Sequence, residues 1–227
     1  MAQFLLAFGA FIALHSIPAI PKIRGTLIGR TGHGSYIAAY SVVSTAALAW
    51  LILSALSLDY VEIWQPRPWQ AWPTFVLSPI GLFLVLAGLF SRNPFSISFR
   101  RGGEADAIVS VTRHPVLWGF LCWSVGHIPP NGDLRSLLLF GGFAAFSAGG
   151  FLMLEKRARR SLGSAWPSAS SRTSVIPFAA VINGKAKITI DVPMAAALLC
   201  TVASLVWLLG GGHAALVGAD PLLFLGG

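Results

Sequence analysis

The signatures of covalent haem attachment, dithiol redox chemistry and the usual phosphate cradles are missing from this sequence, which contains no CxxC, CxxCH, GxGxxG or Walker-type loop. Cysteine is nearly absent. The two present, Cys122 and Cys200, fall in different apolar segments, which argues for packing roles and against a structural disulfide. Charge is scarce as well: 11% of residues are Asp, Glu, Lys or Arg, against 55% hydrophobic residues and a mean hydropathy of +0.73. A chain so poor in charge does not suit a water-facing globule. Its polar stretches, 92–114 and 155–192, are too short to build a core of ordinary size, which excludes a separate soluble domain. Residues 1–10 hold no Lys or Arg, whereas a secretory signal begins with a basic region. Positive charge follows the first apolar stretch instead, predicting an uncleaved first helix with its N-terminus outside.

What is present is apolar sequence in long runs. A helix needs roughly 20 apolar residues to cross the hydrocarbon core, and six segments approach or reach that length: 3–20, 35–58, 74–91, 115–129, 134–154 and 193–211. The fourth is the shortest. A further apolar patch, 222–225, is too short to cross. The predicted fold class is all-α, a polytopic membrane helix bundle of about six transmembrane helices in a single domain over residues 1–227. Lys and Arg concentrate in alternate connections. The first holds Lys22, Arg24 and Arg30; the third holds Arg92, Arg100, Arg101 and Arg113; the fifth holds Lys156, Arg157, Arg159, Arg160, Arg172, Lys185 and Lys187. The second offers Arg67, the fourth Arg135, and the termini none. Cytoplasmic loops carry the positive excess, so the odd connections face the cytoplasm and both termini face outward. This alternation accounts for the net charge of +8 and argues against a nucleic-acid partner.

Local patterns predict further features. In the third connection, Asn93-Pro94 and Arg100-Arg101-Gly102-Gly103 read as turns. The fifth reads as a helical extension followed by irregular chain along the cytoplasmic surface. Trp64, Trp69 and Trp72 in the second connection read as interfacial anchors. Gly141, Ala145 and Gly149 put three small residues on one face of the fifth helix, predicting that it packs centrally through that face. Tyr36, Tyr40 and Ser44 form a polar stripe expected to face the bundle interior.

Ionisable groups at or inside a membrane boundary are costly and count as functional candidates. His114 follows Arg113 at the cytoplasmic start of the fourth helix. His15 lies seven residues before Lys22, roughly 10 Å inside the same boundary. His127 is thirteen residues beyond His114, about 20 Å away along an unbroken helix. His15 and His114 are therefore the pair expected at one depth, suited to axial ligation of a haem iron, with Arg113 and Arg24 for the propionates. His33 lies in the first basic connection and His213 in the outer tail. Zinc lacks enough clustered ligands. His127, Asn131 and Asp133 form a second candidate group, although Pro129-Pro130 and Asn131-Gly132 also read as a simple turn.

These residues carry a resemblance. His15-Ser16-Ile17-Pro18-Ala19 with Arg24, Tyr40-Ser41, Asn93-Pro94, Ser110 to Trp118, His127 and Asn131-Gly132-Asp133 resemble, in that order, the NnrU family of bacterial integral membrane proteins, over residues 3–178. The resemblance implies a multi-pass protein of the bacterial inner membrane, in contact with the lipid bilayer and linked to nitrite and nitric oxide reduction. A more distant similarity to plant zeta-carotene isomerases implies haem b on His15 and His114, and cis-trans isomerisation of an apolar isoprenoid substrate. Two alternatives stay open. One is a non-catalytic assembly or regulatory factor for nitrogen-oxide reductase subunits, docking through the basic fifth connection. The other is an S-adenosylmethionine-dependent membrane methyltransferase, because Arg113-His114-Pro115 is similar to a motif of such enzymes. Those enzymes also use an acidic and aromatic motif; here Glu155 begins the strongly basic segment Lys156-Arg157-Ala158-Arg159-Arg160, and Trp166 follows without a matching partner.

Overall fold

The computed structural model describes residues 1–16, 21–100 and 102–223. Ile17, Pro18 and Ala19 of the His15 motif, Arg101, and residues 224–225 of the last apolar patch lie outside the described residues. Among the described residues the secondary structure is helical, with isolated bridges and no strands. The helices are α1 (Ala2–Ser16), α2 (Pro21–Thr31), α3 (His33–Leu56), α4 (Ala71–Phe90), α5 (Ile108–Val111), α6 (Pro115–His127), α7 (Leu134–Leu162), α8 (Trp166–Ser170), α9 (Ala179–Ile182), α10 (Val192–Trp207) and α11 (His213–Val217).

Of the six predicted spans, four emerge as long apolar helical stretches: His33–Leu56, Pro68–Phe90, Leu134–Ser170 and Val192–Val217. The first predicted span appears as α1, of 15 residues, and the fourth as α6, of 13. At about 1.5 Å per residue these reach roughly 20 Å, short of the ~30 Å hydrocarbon core. Pro115 sets the start of α6, where its missing N–H costs nothing.

The chain divides into two compact units, Met1–Ile63 with Asp133–Leu139, and Trp64–Gly132 with Phe140–Gly227. In the first, Phe4, Ala7 and Phe11 of α1 are buried at helical spacing, as are Ala47, Leu51, Ser54 and Ala55 of α3. The two helices pack on each other, and Gly32 at φ 78° allows the break between α2 and α3. Asp133 caps the first turn of α7, accepting from Ser136 N–H at 3.0 Å and Ser136 Oγ at 2.7 Å.

In the second unit α4 and α6 run antiparallel along a seam of glycines. A Cβ on Gly81 would meet the Gly119 carbonyl oxygen at 2.6 Å, and one on Gly119 would meet that of Gly81 at 2.5 Å. Gly88 faces Pro115 and Val116 at one end of the seam, and Gly126 faces Pro73 and Leu77 at the other. α10 packs on α4, and a core of Leu84, Ala87, Phe95, Ile108, Val109, Val111, Ala158, Met194 and Ala197 closes beside the glycine seam. Asp191 ties two elements together, accepting from Ala107 N–H at the start of α5 and from Met194 N–H in α10.

One expectation is corrected. The small-residue face of α7 is not its packing face: Ala145 and Gly149 are exposed, and a Cβ on Gly149 would meet nothing within 4 Å. The buried residues are Leu139, Phe143, Ser147, Gly150 and Ala158, with Leu117 against Gly150. The fifth connection opens as the expected helical extension, α7 running to Leu162, and its irregular chain is bonded to the link before α6. Residues 173–178 run beside 109–118: Arg113 N–H donates to Ser174 O, Thr112 Oγ1 and Trp118 Nε1 both donate to Val175 O, and Phe178 N–H donates to Val111 O, each at 2.8 Å.

Candidate functional site

Arg113 and His114 sit in the extended link between α5 and α6, a stretch clamped from both sides. The strap 173–178 holds one side, and Asn93 Nδ2 donates to Arg113 O at 2.9 Å from the other. His114 is fully buried. Its Nε2 lies 2.9 Å from Glu155 Oε1, and Arg113 Nη1 lies 3.1 and 3.2 Å from the two oxygens of the same carboxylate. The Arg113 guanidinium also lies 5.3 Å from the Trp166 ring centroid and 5.9 Å from that of Phe95. A carboxylate only accepts, so His114 carries its proton on Nε2, leaving the Nδ1 lone pair. That Nδ1 is buried without a hydrogen-bond partner, as is Arg113 Nε. Burial lowers the proton affinity of His114 from its ordinary value, and the Glu155 carboxylate offsets only part of this.

His15 lies in the first unit. Its Nδ1 is 2.8 Å from Phe11 O and so carries the proton, while Nε2 accepts from Ser44 Oγ at 3.0 Å. The predicted stripe on α3 does meet this ring, since Tyr40 approaches it edge-on at 6.2 Å and stacks with Tyr36. Arg24 is half-buried on α2.

The second candidate group is built into helix ends. His127 directs Nδ1 at Trp123 O, 2.8 Å away, and stacks on Phe140 at 4.9 Å. Asn131 Nδ2 donates to His127 O at 2.7 Å, and Asp133 caps α7 as described above. A Cβ on Gly132 would collide with the Trp64 carbonyl oxygen, and Trp64 Nε1 donates to Pro129 O. Trp64 is therefore tied to this turn, whereas Trp69 and Trp72 are 62% and 60% exposed, as interfacial residues are. Among the described residues no three His, Cys, Asp or Glu side chains cluster closely enough to hold a metal ion.

Comparison with known families now decides the kinship. The model of the family described as NnrU protein matches residues 3–221, nearly the whole chain. The chain belongs to the NnrU family. This NnrU chain is also 31% identical over 84 residues to the chloroplastic 15-cis-zeta-carotene isomerase of Zea mays. The match covers 37% of the NnrU chain and 23% of the plant protein, so it spans about a quarter of that relative. No solved structure matches.

Sequence reasoning passed over Glu155 as the start of a basic run. The available signal was Arg113-His114 itself: a buried cation beside a buried imidazole needs an anion, and Glu155 is the acidic residue of the fifth helix. The implied haem can be tested against these donors. A ligand must offer an imidazole lone pair, with the other ring nitrogen held by an acceptor. His114 meets this through Nδ1 with Glu155 behind it, whereas the Nε2 of His15 already accepts from Ser44 Oγ.

Proposed function

We propose that this NnrU-family protein is a haem b protein of the bacterial inner membrane that isomerises a cis double bond in an apolar isoprenoid. The observation that carries the reading is the unpartnered, carboxylate-backed Nδ1 of His114, in a chain with local identity to a cis-carotene isomerase. His114 is the haem ligand in this reading, with Arg113 engaged with Glu155. Bound haem supplies a redox-switchable Lewis acid. The chain's own contribution is to keep water from His114, to fix its tautomer and to admit an apolar substrate from lipid.

The test is the absorption spectrum of protein purified after haem-replete expression, beside His114→Ala, with 15-cis-zeta-carotene supplied as substrate. A Soret band in the wild type, lost or displaced in the variant, and a shift of the carotene from cis to trans are expected. Wild type lacking Soret absorbance would overturn the haem assignment.

A second reading, a methyltransferase, is favoured by one observation: Glu155 and Trp166 both engage Arg113 of the Arg113-His114-Pro115 motif. It requires S-adenosylmethionine binding by calorimetry, and the absence of heat on titration removes it.

A further inference from the structure

One imidazole in this protein is backed differently from the others. His15, His127 and His213 each set Nδ1 against a backbone carbonyl, at Phe11, Trp123 and Ala219. His114 alone among these four sets a ring nitrogen, Nε2, against a carboxylate. Its other nitrogen, Nδ1, is enclosed with no donor to meet it. An unpaired buried acceptor is costly, and where one persists it calls for a ligand. Metal-ligating histidines donate their second ring N–H to a carboxylate or carbonyl, which fixes the tautomer and raises ligand basicity. A carboxylate does this more strongly than a neutral carbonyl, because the bond is charge-assisted.

Glu155 is itself held in place. Arg113 bonds both of its oxygens, and the Arg113 guanidinium is stacked over Trp166, which also carries Arg159 4.9 Å from its ring centroid. The backbone on the N-terminal side of His114 is anchored through Arg113 N–H to Ser174 and through Arg113 O to Asn93. The ring is thus held from its chain and from its Nε2 at once.

We propose that Glu155 is a positioning residue, fixing His114 as the Nε2–H tautomer and presenting its Nδ1 lone pair as the anionically backed donor to the haem iron. This rests on the haem reading above for the identity of the ligand, while the tautomer itself does not depend on it.

The tautomer is measured on the full chain in detergent without haem, by nitrogen NMR of histidine-labelled protein, with His114→Ala identifying the resonance. The expected result is a protonated Nε2 and a bare Nδ1 at His114, preserved in Glu155→Gln, which keeps an acceptor, and lost in Glu155→Leu. Haem titration then reads the donor strength. Glu155→Leu is expected to weaken haem affinity by about 10- to 100-fold. Glu155→Gln, folding as wild type by size-exclusion, is expected to move the midpoint potential upward, because the neutral amide stabilises the ferric form less. A wild-type His114 protonated on Nδ1 overturns the proposal, as does an unchanged potential in Glu155→Gln. Wild type without Soret absorbance removes iron as the ligand of Nδ1 and refutes the haem reading, while the tautomer measurement still decides the role of Glu155.

Discussion

Asp106 shows how much of this protein's polar order depends on single carboxylates. It accepts from Arg92 N, Nε and Nη2 at 2.8, 3.0 and 2.7 Å, with Arg100 3.7 Å away, and so closes the turn that carries Asn93 toward Arg113. Burial pushes its carboxyl pKa up, but the bonds from Arg92 outweigh this and leave it below the ordinary value. A depressed folded-state pKa contributes stability that is complete above the unfolded value, about 3.9, and lost as pH falls through the folded one. Asp106→Asn is therefore expected to be less stable at neutral pH and to lose part of the acid dependence below about pH 4. Denaturant unfolding in detergent across pH checks this, and an acid limb identical to wild type would refute it. Glu155 is the same kind of residue, but its role was not legible in sequence. Its partners lie 41 and 42 residues away, and its near neighbours Lys156 and Arg157 make it look like the edge of a basic face. His114 and Arg113 were legible because ionisable groups beside an apolar helix stand out by cost alone.

At the level of helices, apolar length made the all-α class and the long spans readable, whereas packing faces were not readable. Small residues spaced by four drew attention to α7, yet the close approach falls on glycines spaced by seven, Gly81 with Gly88 and Gly119 with Gly126. Seven residues are two turns, so each pair stays on one face over the whole crossing. Spacing shows which residues share a face, but not which face a neighbour covers. Gly81→Ala and Gly119→Ala force a methyl against backbone oxygen, which cannot give way as a flexible side chain would, and each is expected to cost at least about 1–3 kcal/mol. Gly149→Ala, with open space around it, is expected to be neutral or slightly stabilising through helix propensity. Thermal unfolding of the three variants in one detergent checks the ordering, and equal loss at all three positions would contradict the seam.

For the whole molecule, the charge alternation predicts the fifth connection in the cytoplasm and the C-terminal tail outside. Lys187 and Ala219 are exposed, so single cysteines there, in a background lacking Cys122 and Cys200, report sidedness. Lys187→Cys is expected to react with impermeant maleimide only in opened cells or inverted vesicles, and Ala219→Cys in intact spheroplasts. The reverse pattern would invert the topology. Family membership was readable from motif order over residues 3–178, and the family match extends it to residue 221. The strap was not readable, because its bonds join groups more than fifty residues apart, two of them backbone to backbone and two from the side chains of Thr112 and Trp118 to the Val175 carbonyl. It also changes where this polypeptide can be interrupted. A tag or partner domain inserted within 173–178 severs the hydrogen bonds that fix the Arg113-His114 link. The exposed turn at Gly184, a few residues on, gives a fusion open surroundings and leaves the histidine's surroundings intact.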